Sequence, residues 1–418
     1  MTLRLAGATR ATFQSLRGRN FRLFFAGQLV SQVGNWLTMI AETLLVLHLT
    51  HNSGLAVGVL AACQFAPVLV LGAWSGLVAD RSDKRRLLVI VQFIAMAQSG
   101  VLAALAFSGR PPILAIDLVA LVGGCTLAFD NPARRAFVVE MVSDDDVNNA
   151  VSLNSALMTS ARIVGPALAG LLVKTAGYGW CFTIDAFSYL AVIAAFMKMN
   201  PAELRVAPVA VRAKAQVRAG LRYVRTVPDL WVPLVMMAVV GTLAFNFQVV
   251  LSLFVIRTFH GGVGMFTILF SVTAVGSLMG ALATARRRTI EVHDVIIASA
   301  GFGVAMLVLA VSPNLAIAFP IGMAVGWTSS AFMTASTAIV QVRADPAMRG
   351  RVLALQAIVF LGSTPIGGPL LGAICDTWGA RAGLVVGGVS ALGAAAFGSI
   401  AMRRNRASRS HSLTLAAQ

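Results

Sequence analysis

The chain has 418 residues, of which 58% are hydrophobic and only 12% charged, with a mean hydropathy of +0.82. A soluble domain carries about 25% charged residues, so this composition excludes a soluble globular protein and implies a multi-pass membrane protein. The formal net charge of +17 would suit nucleic acid if it lay on one soluble face. Here the cations sit in the gaps between apolar runs, where they act as topology signals, and no nucleic-acid partner is expected.

About twenty apolar residues cross a bilayer. Twelve such runs occur, at 21–49, 54–79, 87–108, 112–133, 149–173, 179–199, 229–257, 262–285, 294–311, 314–341, 350–374 and 381–402. The first follows a basic tail and is too long for the core of a signal peptide, so it is expected to stay as a membrane span. The predicted domains are an N-tail 1–20, a six-helix bundle 21–199, a basic linker 200–228, a second six-helix bundle 229–402 and a C-tail 403–418.

In the first span Gln28, Gln32, Asn35, Met39 and Glu42 recur at spacings of four and three, which sets four polar groups on one helical face. Lipid would not tolerate that face, whereas a water-filled cavity would. Glu42 is the first candidate for proton or cation handling, because a carboxylate between dry and wet surroundings can take up and release a proton. Pairing with Arg162 or a polar neighbour is an equally weighted structural reading.

Between the second and third spans lies Gly76-Leu77-Val78-Ala79-Asp80-Arg81-Ser82-Asp83-Lys84-Arg85-Arg86. Arg81, Lys84, Arg85 and Arg86 hold this link on the cytoplasmic side by the positive-inside rule. With both termini on that side, 28 of the 33 lysines and arginines fall in cytoplasmic segments, Arg134 and Arg135 among them. Only Arg110, Lys174, Arg257 and Arg381 fall outside, and Arg162 remains within a span, where it is a further proton-coupling candidate.

Asp130 is the second proton-coupling candidate, although pairing with Arg134 or Arg135 is the favoured reading there. Asp117 and Asp185 lie towards the outer ends of their spans and are expected to reach water. Asp144-Asp145-Asp146 is read as a solvated helix start. Arg162-Ile163-Val164-Gly165-Pro166-Ala167-Leu168-Ala169-Gly170 combines small residues, which permit close helix approach, with a proline, which removes a backbone bond and favours a bend. Ordinary small-residue packing is the rival explanation.

In the linker, Arg212, Lys214, Arg218, Arg222 and Arg225 interleave with Val217, Leu221 and Val224, a pattern that suits either an amphipathic helix on the inner leaflet or a solvated connection. The second half holds no acid within a span core. Its polar candidates for a substrate cavity are Thr242, Asn246, Gln248, Ser329, Ser330, Thr334 and Gln356, with Phe245 and Trp327 available to stack on a flat molecule. Cys63, Cys125, Cys181 and Cys375 lack metal-ligand spacing and read as packing residues.

The halves repeat. Gly76 and Asp80 are echoed by Gly280 and Thr284, and Gly165-Pro166, Gly170 and Gly177 by Gly368-Pro369, Gly372 and Gly379, at offsets of 202 to 204. Duplicated six-helix halves are the signature of transporters with a midplane site.

These motifs resemble the major facilitator superfamily over nearly the whole chain. The link after the second span matches its signature loop, with Asp83 where the family usually has glycine. The resemblance implies that Gly76, Asp80, Arg81, Arg85 and Arg86 form a cytoplasmic latch, and that Gly165, Pro166 and Gly170 belong to a helix-bend motif associated with exporters. Together with Asp130–Phe137 and Gly220–Arg225, they are similar to the bacterial efflux branch that includes the enterobactin exporter and macrolide-type drug efflux proteins. The expected protein is therefore an all-α, twelve-span transporter in two pseudo-symmetric bundles in a bacterial-type inner membrane. It would act as a monomer, without cofactor, metal or enzymatic chemistry, exchanging protons for a small amphipathic molecule. Gln28, Gln32, Asn35, Asn246, Gln248, Trp327 and Gln356 are its substrate-cavity candidates. An importer or facilitator, or a non-transporting membrane sensor, is the alternative.

Overall fold

The computed structural model describes residues 12–205, 216–287 and 289–416. Twelve segments in it are long and apolar enough to cross a membrane, and each coincides with a run expected from the sequence. Among the described residues every regular element is helical. Large apolar side chains such as Val70, Phe107, Leu114, Phe187 and Met197 face outward, as lipid requires and water would penalise.

The chain divides into two compact units. The first runs to Leu49 and resumes at Cys63. It contains α1 (Arg19–Leu49), most of α2 (Gly54–Arg81), α3 (Lys84–Phe107), α4 (Ile113–Glu140), α5 (Val147–Thr175) and α6 (Tyr178–Lys198). Its aromatic core joins Phe21 and Phe24 of α1 to Phe137 and Phe196, with ring centroids 5.8–6.5 Å apart. Ala79, Leu88, Met141 and Met199 close this cluster.

Beside that core the charged loop is largely built into the structure. Asp83 accepts a hydrogen bond from the Arg86 amide at 3.1 Å and so caps α3, which accounts for an acid where glycine is usual. Lys84 is buried and pairs with Glu140 at 2.7 Å. Arg85 donates to the carbonyls of Phe196 and Met197 at the end of α6, satisfying acceptors that a helix terminus leaves open. Arg134 lies on α4, buried against Asp130.

The second unit takes Thr50–Ala62 and the chain after the central stretch. It contains α7 (Gln216–Thr226), α8 (Pro228–Leu243), α9 (Phe247–Leu253), α10 (Val263–Ala285), α11 (Val292–Ala310), α12 (Leu315–Arg343), α13 (Pro346–Leu361), α14 (Thr364–Trp378) and α15 (Ala380–Ala416). The start of α2 belongs here because Asp376 holds it: the carboxylate accepts from the Gly54 and Leu55 amides at 2.7 and 2.9 Å and from the Ser53 hydroxyl at 3.1 Å. Arg257 pairs with the same carboxylate at 2.8 Å. An acid at the positive end of a helix dipole is favourable. This grouping differs from the expected boundary between the bundles, which was drawn at the linker alone.

Of the linker pattern, Arg212 and Lys214 lie outside the described residues, as does Arg288. The remainder forms α7, whose Gly220 and Val224 are buried and whose Tyr223 hydroxyl accepts from the Asp345 amide at 2.9 Å. The buried face of α7 rests on the start of α13, while Arg222 and Arg225 are exposed.

The repeat has a backbone counterpart. Gly177 and Gly379, both in the turn before the sixth helix of their halves, adopt φ of +91° and +85°, a region open essentially to glycine.

Candidate functional site

The seventh span is not one helix. It stops at Leu243, restarts at Phe247 and ends in a π-helical turn over Phe254–Thr258. Asn246 sits in the gap and donates its side-chain amide to the Thr242 carbonyl at 2.8 Å, while its own carbonyl accepts from the Val249 and Val250 amides. Irregular backbone at membrane depth is tolerated where such partners are supplied. Phe245 at the gap is enclosed by Phe247, Phe302, Phe332 and Phe360, with centroids 5.2–6.4 Å away. The Phe245 ring packs against this aromatic cluster and stays half-buried. Gln356 is buried and donates to the Thr337 hydroxyl at 3.3 Å, Gln248 is buried, and Trp327 is 40% exposed.

The first unit has a polar interior. Gln32 donates to the Gln28 side-chain oxygen at 3.0 Å, and Arg134 donates to that same oxygen at 3.2 Å. Arg134 also forms an ion pair with Asp130, whose other oxygen accepts from Gln92 at 3.0 Å. Gln28 and Gln32 of the first-span stripe are thereby joined to Asp130, and the structural pairing favoured for Asp130 is the one found. Burying both charges together is tolerable because each has a partner.

Glu42 stands apart. Its carboxylate is buried and accepts one hydrogen bond, from the Gln64 amide at 2.5 Å, while its second oxygen is buried without a hydrogen-bond partner. Arg162 is not brought to it. The Arg162 guanidinium lies 5.7 Å from the Trp36 ring centroid, a cation–π distance. Trp36 also meets Gly165: a Cβ on that glycine would overlap the Trp36 side chain. The small residues of the bend motif therefore serve close packing of α5 on α1, and α5 continues as helix through Pro166. Asn35 accepts from the Tyr189 hydroxyl at 2.6 Å.

Asp185 was expected to reach water. Instead it is 0% exposed, and one oxygen accepts from the Thr38 and Ser99 hydroxyls at 2.8 and 2.7 Å. The partners lie 147 and 86 residues away along the chain, so no local pattern announces them. Asp117 is half-buried, with one oxygen lacking a partner. Gly76, Asp80 and Arg81 lie at the end of α2, where Gly76 and Asp80 are half-buried and Arg81 is exposed. Among the described residues no group of three histidine, cysteine or acidic side chains could hold a metal.

A twelve-span, two-unit chain with a buried carboxylate that pairs with no cation among the described residues matches the motif resemblance, and comparison with known proteins decides it. The profile of the transmembrane secretion effectors, a branch of the major facilitator superfamily, matches residues 10–415. The chain belongs to this family. It is 24% identical over 374 residues to the staphyloferrin A transporter of Staphylococcus aureus, covering 89% of this chain and 93% of that protein. Identity to macrolide efflux protein A of Streptococcus pyogenes is 23%, over 83% and 87% of the two chains. A solved bacterial homologue of the human lysosomal transporter Spinster, inward-facing and unoccupied, superposes with a TM-score of 0.74 at 14% identity, covering 92% and 96%. The secretion effector family and the facilitator fold make this chain a transporter and not an enzyme.

Proposed function

We propose that this secretion effector exports a small amphipathic organic molecule, drug-like or siderophore-like, across the cytoplasmic membrane in exchange for protons. The relatives named for staphyloferrin A transport and macrolide efflux support the substrate class and, for the latter, the direction. The observation that carries proton exchange is Glu42, a buried carboxylate bonded to a neutral amide and, among the described residues, to no cation. A charge so placed is costly, so a proton that comes and goes is the natural complement. Asp130 is tied to Arg134 and serves as a fixed member of the polar interior. Arg162 and Trp36 brace α1 and α5.

The transport cycle we envisage is rocking of one bundle against the other, with Gly76, Asp80, Arg81, Arg85 and Arg86 as a cytoplasmic latch and both termini cytoplasmic. Gln28, Gln32, Asn35, Asn246, Gln248, Trp327 and Gln356 are the residues we propose for substrate contact. The chain would act as a monomer.

Export is tested in everted membrane vesicles energised with a pH gradient and loaded with a panel of cationic and neutral amphipathic dyes. Uptake of a dye into the vesicles that collapses with a protonophore supports proton-driven export. Gradient-driven loss from the lumen would instead mean import, and movement indifferent to the gradient would mean a facilitator.

A further inference from the structure

Asp185 is a fully buried acid of the first unit that the proposed cycle does not yet use. It is enclosed from three sides. Thr38 comes from α1, Ser99 from α3, and Ser188 from the next turn of α6, 3.4 Å from the second carboxylate oxygen. Gly34 seats it: a Cβ there would overlap Asp185 and stand 2.8 Å from the Ser188 hydroxyl. The remaining charged or titratable groups on the packed helices are Glu42 on α1, Arg162 on α5, and Tyr189 and Cys181 on α6, apart from those at helix ends. Arg162 is engaged with Trp36 and Tyr189 with Asn35. Among the described residues no cation pairs with Asp185.

The identity of the partners matters. Asp130 has a guanidinium partner, which only donates. Hydroxyls both donate and accept, so a hydroxyl cage satisfies a carboxylate and a carboxylic acid alike. When Asp185 takes up a proton, its new O–H can be received by a hydroxyl oxygen, and that hydroxyl can turn its hydrogen to a backbone carbonyl. Ser188 already donates in this way, to the Asp185 carbonyl at 2.7 Å. Thr38 is one helical turn from Glu42 on the same face of α1, so a single helix serves both acids.

We propose that Asp185 is a second proton-carrying carboxylate of the transport cycle, caged by Thr38, Ser99 and Ser188 and seated by Gly34. This rests on the proton-exchange reading above. The step is one of protonation only: a proton from water on the outer side converts the carboxylate to the acid, and the same proton leaves to water on the inner side after the bundles rock.

The test is infrared difference spectroscopy of the full-length protein in lipid, titrated through neutral pH, which reads the carboxylic-acid C=O absorption without needing a substrate. Part of that absorption should disappear in Asp185→Asn and persist in Glu42→Gln. Ser99→Ala and Thr38→Val keep the carboxylate and should displace its midpoint by about one pH unit, the scale of one lost hydrogen bond. Asp185→Asn should also lose gradient-driven dye export. A spectrum of Asp185→Asn that superposes on wild type at every pH would overturn the proposal. So would an Asp185 absorption that responds to sodium at constant pH, which marks a cation site, or midpoints unmoved in both hydroxyl variants. If no dye moves even in wild type, the export reading fails while the spectra still decide the proton site.

Discussion

The two units fill their interiors in opposite ways. The first buries Glu42, Asp130, Asp185 and Arg134 among glutamines and hydroxyls, while the second builds an aromatic cluster around Phe245 at a break in its helix. Both keep the same helical plan and the same positive-φ glycine before the sixth helix. Duplication thus preserved what packing requires, and the buried charge was left to one copy. A charge in the bilayer needs a task or a partner. In the first unit Asp130 has the partner, and Glu42 and Asp185 are the acids we propose for the task.

The largest expected effect comes from removing the task. Glu42→Gln should abolish gradient-driven export while leaving folding intact, since the amide replaces the carboxylate beside Gln64 with little change in shape. Breaking the partnership comes next. Arg134→Met strands a buried Asp130 charge and should destabilise the protein by about 3–5 kcal/mol, with much of the loss restored by adding Asp130→Leu. Thermal unfolding of the purified variants measures both.

The contrast with the second unit is sharpened by Phe245→Ala. Truncating a fully buried phenylalanine costs about 3–5 kcal/mol, and this half-buried ring should cost less, which the same unfolding assay should register. Normal stability with weakened dye transport would mean instead that the ring meets substrate. Gly165→Ala should cost less, about 1–3 kcal/mol, by forcing α5 away from Trp36. Smallest is Asp83→Ala, a lost helix cap worth about 0.5–2 kcal/mol, read as a modest fall in melting temperature.

Fold and span count were legible because lipid imposes a coarse rule on every twenty residues. The repeat was legible because glycine and proline are kept at fixed offsets. The first-span stripe announced Gln28, Gln32 and Glu42 by helical spacing alone. What escaped depended on contacts distant in sequence. Asp185 looked like an outer-end residue until Thr38 and Ser99 closed over it. The charge pattern likewise cannot reveal that α4 continues to Glu140 and carries Arg134 with it. The break after Leu243 is invisible in an unbroken apolar run, since the side chain of Asn246 and the aromatic cage compensate for it only in three dimensions.

The central claim is that a cation-free acid of the first unit exchanges protons for substrate. Its most direct test is proton movement itself: proteoliposomes enclosing a pH-sensitive dye, challenged with an exported dye at zero applied gradient, wild type beside Glu42→Gln. The account predicts a substrate-dependent pH change in wild type that vanishes in the variant. Substrate movement with no accompanying proton, or an equal proton signal in both proteins, would contradict it.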